Sequence, residues 1–188
     1  KPSSPKRRGK PCHELLDKKK KVVPVASRET FVGRRKQTKD ALNALAKRSA
    51  AGILLTGMGG TGKSSLAARI VQRLEPHYKA VIIYQDYSEA AILSELKPFF
   101  TGDNRHDIFQ RYLADIQYRP HYFADNLIEI LETQLAEQPI ILIVDDLEQY
   151  ALETLQTATI AHKTPVKPQY QQALAGLITA FARADTQS

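Results

Sequence analysis

Sulfur chemistry is almost absent from this sequence. Its 188 residues include one cysteine, Cys12, which excludes an internal disulfide framework and a cysteine-based zinc site. Long apolar runs are missing as well. They stop at about six residues, far short of the length needed to cross a bilayer. The leading residues contain no apolar segment of the signal-peptide kind. These absences give the expectation of a cytoplasmic chain without membrane contact. His77, His106, His121 and His162 show no metal-ligand spacing and read as surface or satisfied histidines. No internal repeat is visible.

A charge excess of one sign is missing from most of the chain. The formal net charge is +7, but residues 1–21 alone hold nine Lys and Arg against Glu14 and Asp17. Residues 22–188 hold eighteen basic and eighteen acidic residues and are neutral overall. The excess lies in Lys6-Arg7-Arg8 and Lys18-Lys19-Lys20-Lys21. Such a tail suits nucleic acid, an acidic partner or a membrane surface, and also matches a nuclear-import signal. No aromatic residue is interleaved for base stacking. A solvated linker held open by self-repulsion is the favoured reading, and nucleic acid is not the expected partner.

At 43% apolar and 25% charged residues the chain is globular and long enough for one domain with a core. Residues 1–28 read as a basic linker or tail and residues 29–188 as the folded domain. The short apolar turn Phe31-Val32-Gly33-Arg34 precedes a helix over 37–48. Ile53-Leu54-Leu55-Thr56 reads as a buried strand, and Leu66, Ala67, Ile70, Val71 and Leu74 stand at helical spacing. A second strand is expected over 80–84, then helices over 90–100, 106–117 and 122–137, with Pro120 breaking the last two apart. Ile140 to Val144 is a continuous apolar run, the mark of a parallel strand covered on both faces. Tyr170, Ala173, Leu174, Leu177, Ile178 and Phe181 form the stripe of an amphipathic helix. Alternating strands and helices predict an α/β doubly wound architecture. Tyr112, Tyr118, Tyr122 and Phe123 read as core or interface, and Arg69 and Arg73 as solvated.

Between the strand 53–56 and the helix after it lies Gly57-Met58-Gly59-Gly60-Thr61-Gly62-Lys63-Ser64-Ser65. This is the phosphate-loop pattern G-x-x-x-x-G-K-[ST], with Gly57, Gly62, Lys63 and Ser64 at its fixed positions. Strand, glycine loop, helix is the order the chemistry needs, because phosphates sit on the N-terminus of the helix. Residues 57–65 are therefore the candidate cradle for ATP or ADP. Lys63 supplies a point charge for the β- and γ-phosphates, and the Ser64 hydroxyl is a candidate Mg²⁺ ligand. Hydrolysis further needs a carboxylate on the metal side and a group that positions water. Asp145, at the carboxyl end of the run 140–144, stands where ligands sit in open α/β sheets and is the candidate metal-side carboxylate. Asp146 is the candidate general base, with Glu148 a second candidate. An Asp-Asp pair after a strand also suits a turn or a helix cap; the phosphate loop upstream favours the chemical reading. No residue is identifiable as an arginine finger.

The Phe31-Val32-Gly33-Arg34 motif, the stretch Leu54 to Ala67 and the stretch Ile140 to Glu148 together resemble the nucleotide-binding domain of STAND NTPases. These are signal-transduction ATPases of the AAA-related P-loop class and include the NB-ARC proteins. The likeness spans about residues 29–185. The Asp145-Asp146-Leu147-Glu148 ending is also similar to bacterial multidomain members that carry a caspase-like CHAT protease domain. The resemblance implies that Val32 and Gly33 lie on the adenine side through backbone groups, with Arg34 a polar contact there. It implies an ATP/ADP switch in which ATP-bound protomers self-associate and release a fused effector domain, while C-terminal repeats outside this chain sense the trigger.

In that family a strand with a polar γ-phosphate sensor follows the helix corresponding to 169–184, then a small helical domain and a winged helix. The family's sheet order places the sensor strand between the phosphate-loop strand and the Asp145 strand. The expected fold is thus an α/β P-loop NTPase three-layer sandwich with a mostly parallel sheet, incomplete at its C-terminal end. The chain is expected to be a fragment of a longer protein and a weak ATPase alone. Two other readings are a non-hydrolysing, ADP-bound scaffold and a DNA-handling AAA-type ATPase with residues 1–21 as its contact arm.

Overall fold

The computed structural model describes residues 13–17, 22–47, 52–75, 77–100, 102–147 and 167–184. Its centre is a pair of parallel strands, β3 (Lys79–Tyr84) and β4 (Ile140–Asp145), paired from Lys79 opposite Ile140 to Tyr84 opposite Asp145. β-Branched and apolar residues fill both strands, which suits a ribbon covered on its two faces.

One face of that ribbon carries the main core. Alternation along β3 points Val81 and Ile83 into it. Against them pack α3 (Glu89–Leu96), α4 (Arg105–Tyr118), α5 (Phe123–Glu129) and α6 (Pro168–Arg183). Ile92, Leu93, Leu96, Phe109, Leu127 and Leu177 are among its buried side chains. Gly176 lets α6 approach α5 closely, since a Cβ there would lie 2.8 Å from Phe123 Cδ1. Prolines set the joints of this layer. Pro98 falls in a 3₁₀ turn (97–99) that ends α3, and Pro120 opens another (120–122) between α4 and α5. The helix expected over 122–137 is shorter and less regular: α5 passes into a π-helical turn, Ile130–Gln134.

The other face is covered by α2 (Lys63–Leu74), which packs on β4 and, through Leu66 and Ile70, on Ala41 of α1 (Arg35–Ala46). Beyond α2 stands an element the sequence reading placed inside a linker. Strands β1 (His13–Asp17) and β2 (Val22–Ala26) pair antiparallel, His13 opposite Ala26 and Asp17 opposite Val22. Leu16, Val23 and Val25 pack with Ala68 of α2 and Tyr84 of β3. This hairpin exists because α2 offers it an apolar partner; two strands alone are marginal in water.

A second difference concerns Ile53-Leu54-Leu55-Thr56. This segment is not a strand. Among the described residues no strand pairs with it, and Leu54 is 80% exposed. An extended segment needs neighbouring backbone groups to become a strand, so its apolar run is not enough. The sheet of β3 and β4 has two strands among the described residues. No helix among them is long and apolar enough to cross a membrane.

Candidate functional site

The glycine loop leads directly into α2, whose N-cap is Gly62 at φ 82 and ψ 31, in the left-handed region. Only a residue without a Cβ takes that turn at no steric cost. Gly60 is also left-handed, at φ 75. Nothing lies within 4 Å of where a Cβ would stand on Gly59, Gly60 or Gly62, so the concave side of the loop is open. The first N–H groups of α2 face the same region without helical partners, the usual state of a helix start and a natural anion seat.

Within the loop the side chains fold back on the backbone. Lys63 Nζ donates to the carbonyls of Gly57 at 3.0 Å and Met58 at 3.1 Å. The Thr61 hydroxyl donates to the Met58 carbonyl at 2.8 Å. Arg34, itself left-handed at φ 53 at the N-cap of α1, donates from its guanidinium to the Thr61 carbonyl. Three cationic or hydroxyl donors thus converge on loop carbonyls, and Lys63 is held on a flexible stem at the mouth of the cradle. A phosphate group would offer that ammonium a stronger, charge-assisted acceptor than neutral carbonyls.

The sequence-predicted pair Ser64 and Asp145 does meet. The Ser64 hydroxyl donates to Asp145 Oδ1 at 3.1 Å across 81 positions of sequence. Asp146 follows in the left-handed region at φ 66, with its Oδ2 buried; an aspartate tolerates that conformation better than most residues. Val32 is 87% exposed and Gly33 has φ 89, both on the turn leading into α1 beside Arg34. Met58 is exposed at the tip of the loop. Ser65 turns the other way: its Oγ accepts from the Ala26 N–H at 3.0 Å. Glu148 lies outside the described residues.

The arrangement fits a nucleotide with a divalent cation. The loop is open where phosphates need room, a helix start and an ammonium supply positive potential, and a hydroxyl and a carboxylate stand together as oxygen donors of the type Mg²⁺ prefers. No group of three or more His, Cys, Asp or Glu residues able to hold a metal occurs among the described residues.

Two participants were not visible in the sequence as such. Arg69 is buried, not solvated: it donates to the Ala26 carbonyl at 2.9 Å, to Gln72, and lies 5.6 Å over the Phe31 ring. Ser65 and Arg69, one helical turn apart, thus clamp both polar groups of residue 26 onto α2. Tyr87, fully buried after β3, donates to the Asp145 carbonyl at 2.6 Å. Tyr112 and Phe123 are core residues as expected, whereas Tyr118 and Tyr122 are exposed.

The family profile described as AAA ATPase domain matches residues 30–168, well over half of the chain. The matched span takes in the Phe31–Arg34 turn, the glycine loop and the end of β4; the hairpin β1–β2 lies before it. No curated protein and no solved structure matches the chain.

Proposed function

We propose that this chain, which belongs to the AAA ATPase domain family, binds ATP or ADP with Mg²⁺ and serves as a nucleotide-dependent switch of the STAND type. Family membership makes it a P-loop NTPase domain of α/β fold. The single observation that supports the nucleotide and Mg²⁺ part of this reading is the 3.1 Å contact between Ser64 Oγ and Asp145 Oδ1 at the open mouth of the glycine loop; the switch part rests on the resemblance.

In this reading the loop N–H groups of residues 59–64 and the Lys63 ammonium hold the phosphates. Ser64 and Asp145 provide the metal-side oxygens. When bound, Mg²⁺ neutralises phosphate charge. Asp146 accepts a proton from the attacking water, with Glu148 the second candidate. Arg34 anchors the adenine-side turn to the loop through Thr61, so that Val32 and Gly33 line the base. Lys63 exchanges its bonds to the Gly57 and Met58 carbonyls for phosphate oxygens, and the loop changes shape between the free and bound states. That exchange is the local event from which a switch can be built. Self-association in the ATP state, a fused effector and sensor repeats elsewhere in a longer protein complete the proposal.

Sedimentation of the chain with a non-hydrolysable ATP analogue and with ADP tests it. Larger species with the analogue than with ADP are expected. Identical profiles, with ADP retained and no ATP turnover, would replace the switch by a non-hydrolysing scaffold.

A further inference from the structure

Strands β3 and β4 end in register, Tyr84 opposite Asp145. The residue after each is left-handed, Gln85 at φ 67 and Asp146 at φ 66. Residues with a Cβ keep that region only where their surroundings over-determine it. At Gln85 the cause is local. The Asp86 N–H donates to the Tyr84 carbonyl at 2.9 Å, closing a three-residue turn around Gln85. Asp86 Oδ1 then accepts from the Ser88 N–H at 2.9 Å, and Ser88 caps α3 by accepting from the Ala91 N–H at 3.3 Å. Tyr87 lies between Asp86 and Ser88, within the second of these turns.

Tyr87 has no accessible surface and stands edge-on to Tyr170 of α6, ring centroids 5.4 Å apart. Its hydroxyl ends 2.6 Å from the Asp145 carbonyl oxygen. That carbonyl belongs to the peptide joining Asp145 to Asp146, the plane whose orientation a left-handed Asp146 requires. We infer that Tyr87 is a positioning residue for both carboxylates: its buried hydroxyl locks the 145–146 peptide. The lock keeps the Asp145 carboxylate against Ser64 and holds Asp146 in its turn. The geometric part stands alone; its consequence for nucleotide chemistry rests on the function proposed above. Tyr87 acts through the backbone of β4, at the Asp145 carbonyl.

Tyr87→Phe tests this, because it keeps the ring against Tyr170 and removes only the hydroxyl. Two readouts are taken on the 188-residue chain, with Tyr112→Phe, a buried core tyrosine on α4, as the control. Hydrogen exchange of the segment 144–147 should quicken by about three- to tenfold in Tyr87→Phe, the factor expected from one lost hydrogen bond. Exchange in α3 should stay unchanged. ADP affinity without Mg²⁺ should stay within about twofold of wild type, while the gain in affinity conferred by Mg²⁺ should shrink by about three- to tenfold. Tyr112→Phe should alter neither readout. Unchanged exchange at 144–147 in Tyr87→Phe overturns the inference. So does a loss of ADP affinity that is the same with and without Mg²⁺. A wild-type chain that binds no nucleotide contradicts the proposed function instead, and the exchange comparison still decides the role of Tyr87.

Discussion

Arg69→Leu should lower stability by about 2 kcal/mol, and the estimate follows from what the guanidinium touches. Arg69 is only 9% exposed. Its bond to the Ala26 carbonyl, 2.9 Å long, is charge-assisted and of a class that contributes about 1.5–3 kcal/mol. Its position 5.6 Å over Phe31 adds about 0.5–1 kcal/mol. Against these stands Arg69 Nε, which is buried without a hydrogen-bond partner and costs about 1 kcal/mol that leucine removes. Leucine and arginine have nearly equal helix propensity, so α2 itself is unaffected. The balance is a loss of about 1–3 kcal/mol, or roughly 4–8 °C in Tm at the central value for a chain of this size. Two ties of the hairpin survive the substitution, Ala26 N–H to Ser65 Oγ at 3.0 Å and Gln72 Nε2 to Glu14 at 3.1 Å. The hairpin should loosen rather than detach. Scanning calorimetry reads the shift. A Tm within about 1 °C of wild type would show that this clamp does not hold the hairpin.

Three further outcomes are expected. Ser64→Ala removes the hydroxyl bonded to Asp145 Oδ1 and should cut the Mg²⁺-dependent part of ADP affinity by about 10- to 100-fold, with Mg²⁺-free affinity little changed, as titration calorimetry would show. Asp146→Ala should spare ATP binding and stop phosphate release in a turnover assay; undiminished turnover would remove Asp146 from its role as base. The third concerns pH. Asp115 on α4 has its carboxyl held below the usual carboxylate range, first by the hydrogen bond from Asn126 and then by that from Arg119. A depressed folded-state value means that the stabilisation is complete above the unfolded value of 3.8 and is lost as pH falls toward the folded value. The Tm difference between wild type and Asp115→Leu should therefore be full near neutrality and narrow below about pH 4; a difference independent of pH would contradict it.

The parts of this fold that were legible in the sequence are those whose signal is local. The glycine loop is fixed by spacing, β4 by five consecutive apolar residues, and Asp145 by its place at the end of that run. Placing Ser64 and Asp145 on one site needed only the loop pattern, which fixes Ser64 at the start of α2, and the place of Asp145 at the end of β4. The hairpin was hidden because its strands carry Glu14, Asp17 and Pro24, flank a run of lysines, and owe their stability to Ala68 and Tyr84 far along the chain. Arg69 read as solvated for the same reason: the carbonyl that buries it belongs to that hairpin. Tyr87 is a single aromatic in a loop, with no periodicity to mark it, and its partner is a backbone atom. Ile53 to Thr56 carried the opposite error. The apolar run is real, but a strand also requires a neighbour, and none of the described strands provides one.

In the function proposed above, the loop at 57–65 holds a nucleotide through Lys63. Titration calorimetry of Mg²⁺·ATP into the wild-type chain and into Lys63→Ala decides whether it does. In the free protein Lys63 Nζ donates to the Gly57 and Met58 carbonyls of its own exposed loop, outside the buried core, so the variant should keep the fold. Saturable binding to wild type is expected, with a loss of about 100-fold or more in Lys63→Ala, in line with removing a charged phosphate contact from the cradle. Equal affinity in the two proteins would contradict it.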